Sequence, residues 1–286
     1  MRFGLNSFLV SSSFSTADIP WIKVFKAWGA DFVELAVLHP EELDVSALSR
    51  ALGDAGMENN PVCGMFPPQH DLRGDATQQK SCLDYTRRLI DLAAALGSKT
   101  VAGPFYSCVG RCHLHTKDEK RAQFALVAGH LRTLCAEAEK VGVNIAIEPL
   151  NRFETDFINT LAQARRLIEA VGSPALKIHA DTFHMHIEED DSATTVREAG
   201  ALIGHVHASA SHRGIPGRDQ VDWTGVFQAL REINYSGDIA IETFPMDNTT
   251  IARAASIWIQ RYDSAEQVSR EGLRFLRNTW NSSSPQ

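Results

Sequence analysis

Residues 144–181 read NIAIEPLNRFETDFINTLAQARRLIEAVGSPALKIHAD. A short apolar run, Asn144–Leu150, gives way to a polar loop, then to an amphipathic stretch, then to Gly172 and a second apolar run at Leu176–Ala180. Strand, helix and parallel strand in that order make a βαβ unit, and a glycine after the helix supplies the left-handed residue that ends it. The same alternation recurs along the chain. Strands are expected at Phe3–Phe8, Phe32–Val37, Glu58–Met65, Lys99–Phe105, Ile203–Ala208 and Asp238–Thr243 as well. Between them run apolar stripes of helical spacing, one through Cys82, Leu83, Leu89, Ile90, Ala93 and Leu96, another through Phe124, Val127, Leu131, Leu134, Cys135 and Ala138. Eight such units in 286 residues, with no Pro/Ser-rich linker before the terminal NSSSPQ, predict one α/β domain, a closed (β/α)8 TIM barrel over residues 1–280 with a flexible tail at 281–286. No G-x-G-x-x-G follows the first strand, which removes a dinucleotide-binding reading.

Composition excludes several functions. The net charge is −7 and the basic pairs Arg87-Arg88 and Arg165-Arg166 fall on helix-like stretches, against a nucleic-acid partner. No apolar run reaches the roughly 18 residues that span a bilayer, so no membrane partner is expected. Five irregularly spaced cysteines and a start without a signal-peptide pattern predict a reduced, cytoplasmic protein.

In a (β/α)8 barrel the chemistry gathers at the C-terminal ends of the strands. Four successive strands end in metal-binding side chains: Glu148 in IAIEP, Asp181 in KIHAD, His207 in GHVHAS and Glu242 in IAIETF, each about one βα unit from the next. Three carboxylates focused on one point would repel strongly unless a divalent cation neutralised them. Three oxygens and one imidazole suit Mn²⁺, Co²⁺ or Mg²⁺, whereas structural zinc prefers thiolates.

The segments IAIEPLNRFETDFINT (145–160), KIHADTFHMHIEE (177–189), HVHASASHRGIPGRDQVDW (205–223) and IAIETF (239–244) resemble the sugar phosphate isomerase/epimerase superfamily. More narrowly they resemble the ketose 3-epimerases that act on D-tagatose, D-allulose (psicose) or L-ribulose, with E-P-L-N-R-F-E and D-T-F-H-M as the specific signal. The resemblance implies that Glu148, Asp181, His207 and Glu242 hold one divalent ion, usually Mn²⁺ or Co²⁺. It implies further that Glu154, His184 and Arg213 contact the substrate near O1 and O2, and that Glu148 and Glu242 form the acid/base pair. Inverting C3 of a ketose needs a proton removed from one face and one returned to the other, and two glutamates on strands flanking the other ligands meet that need.

The chain departs from the family pattern in PGRDQVDW (216–223) and in the Ser-rich LNSFLVSSSF (5–14), which leaves the preferred ketose open. Phe8, Glu34 and Cys63 are candidates for the wall around the distal end of the sugar, or else ordinary packing. No Gly-Gly phosphate cradle follows the seventh or eighth strand, so a free sugar is expected. The cluster Cys108, Cys112, His113 and His115 is too cramped for a zinc module and is read as a loop covering the site; His70 is either a site residue or a turn residue. A last helix with Ile251, Ala254, Ala255, Trp258, Ile259 and Tyr262 on one stripe would face the barrel or a second subunit, and the family implies a homodimer or homotetramer. Rival readings are another superfamily enzyme, such as a hydroxypyruvate isomerase, an inosose dehydratase or a xylose isomerase-like protein, or a non-catalytic sugar-binding barrel. An endonuclease IV-like nuclease would need further histidines that the chain lacks.

Overall fold

A computed structural model describes residues 1–67 and 70–283. Among them eight strands close into a parallel barrel in sequence order: β1 (Arg2–Asn6), β2 (Val33–Ala36), β3 (Val62–Cys63), β4 (Thr100–Gly103), β5 (Asn144–Ile147), β6 (Leu176–Asp181), β7 (Ile203–His207) and β8 (Asp238–Ile241). Each lies within or beside its expected run. Most are shorter, because the chain leaves the ladder early to build the mouth: Phe8 belongs to a short 3-10 turn, Ser7–Leu9, whose start is capped by the Asn6 side chain accepting from the Phe8 amide. Glu148 and Glu242 therefore stand one residue past β5 and β8, on the first residue of the outgoing loops.

Helices cover the outside. On α1 (Ala76–Ala95) Cys82, Leu89, Ile90 and Ala93 are buried, and on α2 (Lys117–Lys140) so are Val127, Leu131, Leu134, Cys135 and Ala138. Leu83, Leu96 and Phe124 pack against this core from its edge. Thr116 and Glu119 form a reciprocal capping box that starts α2, and Gly172, at φ 72°, ends α3 (Leu161–Val171) in the left-handed conformation. The expected last helix divides. A short helix, Thr249–Ala254, ends where Ser256 turns to φ 56°, and a separate helix runs over Ala265–Ser282. Trp258 and Ile259 are consequently exposed in the intervening loop while Tyr262 is buried, so the apolar stripe was not one helix face. The final helix also takes in Asn281 and Ser282, two residues expected in the tail; 284–286 lie outside the described residues. No helix among the described residues is long and apolar enough to cross a membrane.

The barrel interior is polar. Asn6, Glu34, His179, His205 and His207 are each at most 1% exposed. β6 and β7 pair His179 with His205 and Asp181 with His207, and β1 and β2 pair Asn6 with Glu34. Because β2 and β7 are not neighbours in the ring, the contacts of Glu34 with His205 and His207 must cross the inside of the barrel. Hydrocarbon usually fills that space, so the network marks the axis below the site.

Candidate active site

The ends of β5, β6, β7 and β8 each contribute one side chain to a common centre. Gly103 closes β4 at φ 145°, and a β-carbon there would lie 2.0 Å from the Gly64 carbonyl oxygen. That glycine lets its own carbonyl accept from the Glu148 amide (3.2 Å) and set Glu148 at the barrel mouth. Asp181 ends β6, and its Oδ1 caps the next helix by accepting from the Phe183 amide (2.7 Å), which leaves Oδ2 for the centre. His207 ends β7 and Glu242 follows β8.

Ligand atoms of Glu148, Asp181, His207 and Glu242 all lie within 4.8 Å of one another, and all four side chains are buried. His207 Nδ1 is 3.4 Å from Glu242 Oε2 and 3.8 Å from Glu148 Oε1. Both His207 Nδ1 and Glu148 Oε1 are buried without a hydrogen-bond partner. A lone pair and a carboxylate oxygen left bare in the interior are costly, and a cation between them would relieve both. The donor set therefore fits a divalent metal, the fourfold convergence being the reason and the bare atoms its physical test.

Arg213 supplies fixed positive charge. Its Nη1 donates at 2.8 Å to Asp181 Oδ2, Glu242 Oε2 and Ser209 Oγ, and its plane lies over Phe183 with Cζ 4.0 Å from the ring centre. Its backbone sits at φ 57°, held by the Thr243 hydroxyl donating to the Arg213 carbonyl and by the Arg213 amide donating to Ala210. Burial alone would lower the guanidinium pKa, but the Asp181 and Glu242 carboxylates raise it above its ordinary value. Burial pushes the Glu148 carboxyl well above the usual carboxylate range, and Glu242 adds to the push. The two glutamates thus differ: Glu242 is tied to Arg213, and one oxygen of Glu148 is untied.

His184 lies on the helix after β6, with Nε2 3.8 Å from both Glu148 Oε1 and Asp181 Oδ2. The Asn151 amide donates to its Nδ1 at 3.0 Å, and its Nε2 lies 3.3 Å from Arg213 Nη2, beside the centre. Burial, opposed by Glu154 and seconded by Arg213, brings its pKa down to about 4, so the ring is neutral near pH 7. The Asn151 side chain also donates to Glu154 Oε1 (2.8 Å), tying Glu154 to the same group. Asn151 sits inside the quoted E-P-L-N-R-F-E segment, yet nothing in sequence spacing singles it out.

Above the centre is a cavity of about 70 Å³ whose wall includes Phe8, Cys63, Glu148, Glu154, His184, Arg213 and Glu242. It opens into an outer cleft of about 720 Å³ bordered by Met65, Phe66, Val109, Phe153, Phe183 and Ile257. Glu34 does not reach either cavity. It lies below, its Oε2 accepting from Asn6 (2.8 Å) and contacting His207 Nε2 (2.6 Å). His70 contacts Ser81 at 2.7 Å and lines neither cavity. Cys108, Val109 and Gly110 border the outer cleft, and the Gly110 amide donates to the Glu154 carbonyl (2.7 Å), joining the loop after β4 to the loop after β5. Among the described residues Cys108, Cys112, His113 and His115 form no metal-ligand cluster.

The profile of the xylose isomerase-like TIM barrel family matches residues 22–279. A probable ketose 3-epimerase of Synechocystis is 32% identical over 98% of this chain and 97% of its own. The chain belongs to the ketose 3-epimerase family. A solved L-ribulose 3-epimerase superposes on this ketose 3-epimerase fold with a TM-score of 0.92 at 28% identity, covering 99% of this chain and 95% of that one. A D-allulose 3-epimerase from Methylomonas sp., solved in complex with D-allulose, gives 0.87 at 25% identity over 98% and 97%. A ketose 3-epimerase is an isomerase, and this chain is an enzyme of that class.

Proposed function

We propose that the protein inverts C3 of a free ketose by carrying a proton off one face and returning one to the other, using Glu148 and Glu242. The observation that carries this is the placement of two buried carboxylates past β5 and β8, at the two ends of an arc whose middle strands supply Asp181 and His207. A single base serves one face of C3; two bases separated by this arc serve both. One glutamate takes the C3 proton, acidified by the neighbouring C2 carbonyl, while the other, protonated, gives its proton to the opposite face. In the reverse reaction their roles exchange, and both recover their starting states through solvent.

Glu148, Asp181, His207 and Glu242 would hold a divalent ion, Mn²⁺ or Co²⁺ by the family's habit, which when bound polarises the C2 carbonyl and offsets charge building on O2. His184 and the guanidinium of Arg213, in contact with one another, would orient O1 and O2, with Glu154 accepting from a sugar hydroxyl. Phe8 and Cys63 would wall the distal end. Exposed Phe153, Trp258 and Ile259 support burial against a second copy, as a homodimer or homotetramer.

Proton NMR of the Mn²⁺-loaded protein with D-fructose, D-tagatose and L-ribulose in D₂O, beside a chelated control, tests the reading. A C3 epimer with deuterium at C3, lost on chelation, is expected. An aldose labelled at C2 would place the enzyme with the isomerases of the superfamily.

A further inference from the structure

The centre rests on a second group of buried polar side chains that none of the chemistry above employs. Glu34, on β2, is fully buried, and its carboxylate is held from three directions. Asn6 Nδ2 donates to Oε2 at 2.8 Å, His207 Nε2 lies 2.6 Å from the same oxygen, and His205 Nε2 lies 2.7 Å from Oε1 as an ion-pair contact without hydrogen-bond geometry. Asn6 is itself fixed, since its Oδ1 accepts from the Phe8 amide (2.8 Å) at the first turn after β1. Four residues from β1, β2 and β7 thus meet in the barrel interior, at positions where a hydrophobic layer would pack without the cost of burying a charge.

Charge buried at that cost calls for a purpose. A carboxylate beside one imidazole nitrogen draws the ring proton to that nitrogen and sets the ring plane. For His207 the proton goes to Nε2, and Nδ1 is left as a bare lone pair facing Glu148 and Glu242.

We propose that Glu34 is a positioning residue for the metal centre: anchored by Asn6 and His205, it fixes the tautomer and orientation of His207 so that Nδ1 is presented to the ion. Glu34 touches neither substrate nor metal, and acts only through His207. The inference rests on the reading of His207 as a ligand. Partners of this kind behind a ligating histidine are worth roughly 10–100-fold in metal affinity.

The test is titration calorimetry of Mn²⁺ into chelator-stripped wild type, Glu34→Gln and Asn6→Ala, with circular dichroism to establish folding and ¹⁵N-histidine NMR to read ring protonation. Glu34→Gln keeps shape and removes charge; Asn6→Ala keeps the charge and removes its anchor. The expected result is a Kd for Mn²⁺ weakened roughly 10–100-fold in Glu34→Gln and by a smaller factor in Asn6→Ala. Activity lost at low Mn²⁺ returns as Mn²⁺ is raised, and spectra of wild type loaded with diamagnetic Mg²⁺ show His207 carrying its proton at Nε2 alone. A folded Glu34→Gln that binds Mn²⁺ within twofold of wild type overturns the proposal. If Glu34→Gln does not fold, an Asn6→Ala variant with wild-type affinity does the same. Wild type that binds no Mn²⁺ refutes the metal site itself and this inference with it, whereas wild-type binding with an indifferent Glu34 refutes the inference alone.

Discussion

Replacing Glu148 by Gln keeps the volume of the side chain and removes its capacity to take or give a proton. Glu148 is buried, one of its oxygens has no hydrogen-bond partner, and burial with the nearby Glu242 holds its pKa well above the usual carboxylate range. General acid–base catalysis by one group contributes about 10²–10⁴-fold, which at about 1.4 kcal/mol per decade is about 3–5.5 kcal/mol of barrier. Inversion should therefore fall by at least about 100-fold in Glu148→Gln, and by a similar factor in Glu242→Gln. The sharper expectation concerns isotope exchange. Each variant keeps one working base, on one face of C3, so in D₂O with excess Mn²⁺ it should still wash the C3 proton out of one epimer without converting it to the other. Glu148→Gln and Glu242→Gln should label opposite epimers. Incubating each variant separately with D-fructose and with D-allulose and following the C3 proton signal by NMR distinguishes the cases. Exchange of the same epimer by both variants, or inversion within tenfold of wild type in either, would refute the assignment of one base to each face.

Arg213→Ala should lower kcat/KM by about two orders of magnitude while the protein still binds one Mn²⁺, because the guanidinium touches the Asp181 and Glu242 carboxylates without being a ligand; loss of metal in a folded variant would make Arg213 structural. Arg73, whose side chain is fully buried, bridges the loops after β3, β4 and β5 through Asp71 (3.3 Å), Ser107 (2.6 Å) and Asp156 (2.5 Å). Removing one partner of a buried ion pair costs about 3–5 kcal/mol, so Arg73→Met should lower Tm by about 10 °C in a thermal melt, and an unchanged Tm would show that the bridge contributes nothing to stability.

The eight βα units and the four converging strand-end side chains could be read from sequence because both follow local patterns, apolar runs alternating with amphipathic stretches and one polar residue where each of the last four strands meets its loop. Glu34, which the sequence leaves open as sugar wall or as packing, lies buried below the site, for a reason that no period records. Its partners sit on β7, five strands further along the chain, and only closure of the barrel brings them across the axis. Asn151 carries no sequence signal because it acts through a backbone amide donating to His184 Nδ1, and an amide leaves no mark in a sequence. The Ile251–Tyr262 stripe failed differently: apolar spacing suggested one helix, but the helix ends at Ala254, and the remaining apolar residues divide between an exposed loop and a buried tyrosine.

The central claim is that Glu148, Asp181, His207 and Glu242 hold one catalytic ion. Anomalous diffraction from a crystal of the Mn²⁺-loaded protein, collected on both sides of the manganese edge, tests it most directly. The account predicts one peak per chain, enclosed by those four side chains, with Arg213 and His184 beside it. A peak elsewhere, for example at Cys108–His115, or no peak in protein that epimerises a ketose, would contradict it.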